Sequence, residues 1–328
     1  MAGTATSSST SGLFNYLDGT TESSLYRNGK VFTRRDLDGS DGGTVGVAAK
    51  AFQVNVLDAR QFTGANRKTC EHNGFEILDA PLEDESLDFF ENNQVVPRYY
   101  RECEQLVAGA TGGQAFAFDH NLRSAQGKNA NMRISGGQTV QGPAKMVHGD
   151  YTLFSAPQRL RDLTNPPKAN DTFRTALPPG EPLIPSAMAE RALAEGGRFA
   201  IINVWRSIAE QPVELNPLAM CDGQTVNPED LVVFEIHYQD RIGENYFARH
   251  EDAHRFYYYP HITRSEPMLL KQWDSLGALA QTDGKAADAS IDASPCTFSF
   301  HSAFDDVAVH EDAPDRLSIE VRCLVIYP

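Results

Sequence analysis

From residue 199 to the C-terminus the chain repeats one local pattern: short β-branched or aromatic runs cut apart by Gly, Pro and Asp. The runs occupy 199–208, 231–238, 245–248, 256–259, 268–273, 296–304 and 316–327. Such segments suit a pleated, half-buried surface, and the turn formers between them stop each one after a few residues. Helical spacing is concentrated in the first half, at 95–107, where Tyr99, Tyr100, Cys103 and Leu106 share a face, and again at 186–194. Further strands are expected at 51–57, 74–78 and 114–121. Strands at this spacing, with few helices between them, predict a β-sandwich or barrel dressed by helices rather than a βαβ repeat.

Several stretches fall outside this pattern. Residues 13–46 are polar and rich in Gly and Asp, and 124–142 is a glycine-rich loop. Residues 157–185 carry so many prolines that they are expected to wrap irregularly across a surface. Residues 281–294 read as an exposed insertion. The Ser/Thr/Gly-rich residues 1–12 have neither a basic nor an apolar region and read as a disordered leader, not a secretory signal.

A formal net charge of -15 argues against nucleic acid or an anionic membrane as partner, since both attract clustered Lys and Arg. A small-molecule partner is expected. The 5 cysteines are widely spaced with no Cys-x-x-Cys pair, which suits a reducing, cytoplasmic setting. No apolar run is long enough to span a bilayer. Oligomeric state is not legible.

The most suggestive chemistry lies at Val147-His148-Gly149-Asp150-Tyr151-Thr152. In an extended segment the period of two sends His148 and Asp150 to one face, with Gly149 between them presenting no side chain. With a second histidine these would form the two-histidine, one-carboxylate face that binds non-haem Fe(II) and leaves coordination positions open.

His-x-Asp occurs twice more. His310-Glu311-Asp312 sits in an acidic turn before Pro314 and reads as solvated. His250-Glu251-Asp252-Ala253-His254 also spells His-Glu-x-x-His, so a zinc metallohydrolase using His250, Glu251 and His254 is a rival reading. That chemistry needs a helix to bring both histidines to one face. Here strand-forming aromatics flank the motif, and a hairpin with polar tips is expected.

A distal partner for His148 appears at His301, within the aromatic run 298–304. Fifteen residues later comes Arg316-Leu317-Ser318. On a strand Arg316 and Ser318 share a face and offer a guanidinium fork and a hydroxyl to a carboxylate. A metal-free, non-catalytic β-sandwich is the remaining alternative.

In this ordered set the chain resembles the Fe(II)/2-oxoglutarate-dependent dioxygenases. More narrowly it is similar to the fungal natural-product hydroxylase/desaturase family, related to gibberellin desaturase and a cephamycin methoxylation component. The likeness is carried by Leu57-Asp58-Ala59-Arg60, Phe118-Asp119-His120-Asn121, the His148 segment, Asn203-Val204-Trp205-Arg206, Pro217-Leu218-Ala219, Trp273-Asp274-Ser275, His301-Ser302-Ala303-Phe304 and Arg316 to Arg322. It implies a double-stranded β-helix (jelly-roll or cupin-like) as a single domain over 13–328. The wide gap between Asp150 and His301 implies a long insertion between about 157 and 295.

The resemblance also implies roles. His148, Asp150 and His301 would hold Fe(II), while Arg316 and Ser318 would hold the C5 carboxylate of 2-oxoglutarate. Arg206 stands where the family has a cation and is expected to anchor a carboxylate; a structural ion pair is the alternative. From their place in the chain, Tyr151 and Thr152 beside the ligands and Phe304 after His301 are expected to line the substrate site, with core packing the alternative for Phe304, and Trp205 is expected to belong to the core. With O2 as second co-substrate, the implied reaction oxidises an unactivated C–H bond of a small natural-product intermediate, by hydroxylation, desaturation or cyclisation, releasing succinate and CO2. The loops 124–142 and 157–185 are candidate lids.

Overall fold

A computed structural model describes residues 9–35, 41–136, 139–168, 171–239, 242–309 and 312–328. Its strands are β1 (Ser9–Leu17), β2 (Phe32–Arg35), β3 (Asp41–Val45), β4 (Ala49–Asp58), β5 (Phe75–Ile77), β6 (Gln114–Arg123), β7 (His148–Gly149) and β8 (Phe199–Ser207). They continue with β9 (Leu218–Cys221), β10 (Leu231–His237), β11 (Ile242–Ala248), β12 (Phe256–Tyr258), β13 (Met268–Asp274), β14 (His301–Ala303), β15 (Asp305–Asp306) and β16 (Ser318–Ile326).

Two sheets form. The larger runs β15-β1-β4-β12-β9-β14-β7-β11-β10-β2-β3 and the smaller β5-β13-β8-β16-β6. Most of their buried apolar side chains belong to one large cluster, in which the Phe298 ring stacks on Trp273 and meets Phe300 edge-on. The architecture is a double-stranded β-helix, as the strand pattern and the resemblance led us to expect.

The smaller sheet explains why its central strands read as unbroken runs. Strand β8 is buried at every position. Its outer face, with Val204 and Arg206, lies under the helix Tyr100–Thr111, whose Cys103 and Val107 are buried against it. Its inner face carries Asn203, Trp205 and Ser207, which pair in register with Arg322, Glu320 and Ser318 of β16. These in turn pair with Asp119, Asn121 and Arg123 of β6. Three strands thus build a polar lattice facing the larger sheet.

Five expectations need correction. Ser9 to Gly12 pair with Leu57 to Val54 as the start of β1, so no leader extends to residue 12; residues 1–8 lie outside the described residues. The polar stretch 13–46 supplies most of β1 together with β2 and β3. Residues 157–185 are not wholly irregular, because the helix Ser155–Asp162 tolerates Pro157 in its first turn, where an amide hydrogen has no helical partner. Residues 157–295 are not a separable insertion, since β8 to β13 lie there and belong to both sheets. The run 296–304 is a strand over His301–Ala303 alone.

Candidate metal centre

Strand β7 is two residues long, yet it places the site. His148 pairs with Phe247 of β11 on one side and with His301 of β14 on the other. Residues directly opposite each other on antiparallel strands project from the same face. The imidazoles of His148 and His301 therefore converge, with ring centroids 4.3 Å apart. Asp150, two residues on, returns to that face with Oδ1 3.7 Å from His148 Nε2. Gly149 is needed for a reason of space: a Cβ there would sit 2.9 Å from the Phe298 ring.

One ligand atom from each of His148, Asp150 and His301 lies within 4.8 Å of the others, and this is the one such grouping of metal-binding side chains among the described residues. A backbone carbonyl lies beside Nδ1 of each ring. His148 Nδ1 donates to the Met146 carbonyl at 2.7 Å, which leaves the Nε2 lone pair for a metal. His301 Nδ1 faces the Ser299 carbonyl at 3.5 Å.

Burial, then the neighbouring His301, pushes His148 down to about 4, and burial likewise lowers His301. Both rings are thus neutral ligands at neutral pH. Burial alone would raise the Asp150 carboxyl, but Arg322, His301, His148 and Asn203 together hold it well below the usual carboxylate range. Two neutral imidazoles and one carboxylate on one face fit a divalent transition metal such as Fe(II).

A narrow cavity adjoins the centre, lined by Arg123, His148, Trp205, His301, Arg316 and Glu320 among others. Arg316 is 2% exposed, and its Nη1 donates to the Asn216 carbonyl at 2.5 Å. Its Nε has no hydrogen-bond partner among the described residues, nor do the hydroxyls of Ser318 and Ser207, which are register partners. Burial and the nearby Arg123 push the Arg316 guanidinium down to about 9. These unspent donors on buried Arg316 and the two serines, with the part-buried Arg123 lining the same cavity, would suit an anion, and a carboxylate fits a guanidinium with hydroxyls beside it.

Other expected site residues lie elsewhere. Arg206 is on the outer face of β8 with its donors committed: Nε to the Tyr99 hydroxyl (3.0 Å), Nη1 to the carbonyls of Ala80 (3.0 Å) and Arg264 (2.7 Å), and Nη2 to Glu102 (2.6 Å). It is a structural ion pair, not a co-substrate ligand. Thr152 is fully buried, donates to Glu244 at 2.6 Å and accepts from the amides of Phe154 and Ser155 at the start of a helix. Phe304 stacks on Phe14 and meets Tyr258 edge-on, away from the cavity. Tyr151 is part-buried and feels the charges of Asp150 and Arg322, which keeps it beside the centre.

Trp205 is buried in an apolar cluster with Met220, Tyr257 and Leu270, as expected of a core residue, and it also lines the cavity, with the Arg316 guanidinium 5.8 Å from its ring centre. Arg123 and Ser207 were not singled out from sequence. The alternation of Asp119, Asn121 and Arg123 on a strand was the signal that could have marked a polar inner face.

The rival motif does not assemble. Residues 250–254 form a turn, not a helix. His250 stacks on Phe52 at 3.9 Å, while His254 bridges Asp230 (3.1 Å) and the Tyr16 hydroxyl (3.3 Å). His310 and Glu311 lie outside the described residues.

Fold and site together define a class: a double-stranded β-helix carrying a two-histidine, one-carboxylate metal face beside a buried anion receptor. The chain belongs to the oxidoreductase/YMDC permease-like domain family, whose description matches residues 14–177 and 181–326. No helix among the described residues is long and apolar enough to cross a membrane.

A relative from Methylophilus leisingeri, "Uncharacterized protein in dcmA 3'region", is 44% identical over 195 residues, 59% of this chain and 88% of its own length. The "Alpha-ketoglutarate-dependent dioxygenase phiK" of a fungal species is 24% identical over 281 residues, 85% of this chain and 84% of its own. Among solved structures, the "iron and alpha-ketoglutarate-dependent endoperoxidase NvfI" superposes with a TM-score of 0.68 at 21% identity, covering 98% of each chain, and bears out the fold.

Proposed function

We propose that this chain is an Fe(II)/2-oxoglutarate-dependent dioxygenase, an oxidoreductase that oxidises an unactivated C–H bond of a small natural-product intermediate with release of succinate and CO2. The reading is carried by one observation: three metal-binding side chains converge within 4.8 Å beside a buried arginine with an unspent donor. When bound, Fe(II) with 2-oxoglutarate supplies the means of activating O2.

The protein's own residues do the rest. His148, Asp150 and His301 would hold the metal. Arg316 and Ser318 bind the C5 carboxylate, and Arg123 adds a second positive charge to the same cavity. Trp205 walls the cavity with an apolar ring, and burial of the whole centre limits water at the reacting bond. Hydroxylation, desaturation and cyclisation share this machinery, and the choice among them rests on how substrate is placed near Tyr151. The five cysteines are free and buried, which supports a reducing, cytoplasmic setting.

The test is anaerobic addition of Fe(II) and 2-oxoglutarate to the metal-free protein. A visible charge-transfer band from a keto acid chelating the iron is expected, and His148→Ala and His301→Ala should abolish it. Absence of the band in the wild-type protein would sink the reading.

A further inference from the structure

Asp150 has a second oxygen, and the centre depends on what holds it. Oδ1 faces His148, but Oδ2 turns the other way and accepts from Asn203 Nδ2 at 3.2 Å and from Arg322 Nε at 3.3 Å. Asn203 and Arg322 are register partners across β8 and β16, so backbone pairing sets the two donors side by side. Arg322 is itself pinned. Its Nη1 donates to Asp119, its register partner on β6, at 3.0 Å, and its Nη2 donates to Glu320 at 3.4 Å. The Asn121 amide oxygen, in the orientation that satisfies its neighbours, accepts from both Nη atoms at 3.0 Å.

These contacts have no evident role in holding the fold that an apolar side chain would not fill more cheaply, since polar groups are costly to bury. Asn203 and Arg322 meet at one oxygen of Asp150, and Asp119, Glu320 and Asn121 hold the Arg322 guanidinium in place there. A ligating carboxylate left free to turn offers both oxygens to a metal and so occupies a position that a chelating keto acid needs. Partners behind a metal ligand fix its orientation, and losing them typically weakens metal binding by about 10- to 100-fold.

We propose that Arg322 and Asn203 are positioning residues that reserve Oδ2 of Asp150 and so present Oδ1 alone to the metal. The inference rests on the iron-oxygenase reading above and names the residues that keep the open face open. It is tested in the full chain with Co(II), a probe with visible absorption that reports coordination without turnover. Arg322→Lys keeps the charge but loses the planar fork, and Asn203→Leu keeps the volume but loses the donor.

Calorimetry and Co(II) absorption should show affinity falling by about 100-fold in Arg322→Lys and about 10-fold in Asn203→Leu. The visible bands should shift in both, and the cobalt-loaded variants should bind 2-oxoglutarate more weakly. Wild-type affinity and wild-type bands in both variants, with unchanged circular dichroism, overturn the proposal. If Arg322→Lys does not fold, Asn203→Leu decides alone, since an unchanged Co(II) spectrum there removes the role of Oδ2. Failure of the wild-type protein to bind Co(II) sinks the underlying reading instead, so the two failures are distinct.

Discussion

Arg206 and Arg316 are both removed from solvent and both belong to the smaller sheet or its margin, but they face opposite ways and are treated differently. Arg206 lies under the helix side of β8, where a phenol, two carbonyls and the Glu102 carboxylate absorb its donors. Arg316 lies on the cavity side with one carbonyl partner, a neighbouring cation and an Nε with no acceptor among the described residues. Burying a charge is costly unless it is paired. A guanidinium with its bonds complete holds the fold together, whereas one left incomplete keeps a place for a ligand.

Substitution separates the two. Arg206→Met strands Glu102 as an unpaired buried carboxylate and should cost about 3–5 kcal/mol in denaturant unfolding, while any folded fraction keeps its 2-oxoglutarate affinity. Lost co-substrate affinity without lost stability would reverse the assignment.

The candidate metal ligands extend the contrast to a buried group kept neutral. Unfolded, His148 takes up a proton below its ordinary value of 6.5; folded, it does so near 4. Between those values the unfolded chain holds more protons, so stability should rise with pH across that window, by about 3 kcal/mol in all. Metal-free protein unfolded at pH 7 and at pH 4.5 should show a loss on acidification to which His120 and His301, also lowered by burial, contribute, and His148→Gln should make that loss smaller.

Arg316→Met should leave stability unchanged or raised and weaken 2-oxoglutarate binding to metal-loaded protein by about 2–3 kcal/mol, roughly the value of a charge-assisted contact. Gly149→Ala drives a methyl into the Phe298 ring and should cost about 1–3 kcal/mol, read as a lower melting temperature with weakened Co(II) binding. The smallest effect belongs to Phe304→Leu, about 1 kcal/mol of stability with no change in co-substrate affinity, because its ring packs on Phe14 rather than in the cavity. A loss of co-substrate binding there would return Phe304 to the site.

Much of the fold was legible because strands of alternating or continuous apolar character announce themselves locally, as at β6, β8, β10, β13 and β16. The His148, Asp150, His301, Arg316 and Ser318 set was legible through its order and spacing together with family likeness. What failed was orientation. Arg206 and Phe304 stand close to motif residues in the chain but at positions of opposite parity, which point to the other face, while Thr152 lies past the end of its strand and is taken up by the helix start at Ser155. The placement of residues 9–12 and 157–295 is not legible locally, because polar or proline-containing segments there pair with, or pack on, strands distant in sequence.

The amino-acid sequence alone determined the period of each strand, and with it which side chains share a face: His148 with Asp150, Arg316 with Ser318, Glu320 with Arg322. It could not determine which face of which strand meets which other, because cross-strand register and sheet-on-sheet packing join residues up to hundreds of positions apart. Tertiary structure alone set His148 opposite His301, sent Arg206 under a helix and turned Asn203 and Arg322 toward the same carboxylate oxygen. Those choices follow from burial and hydrogen-bond completion over the whole molecule, which no local window contains.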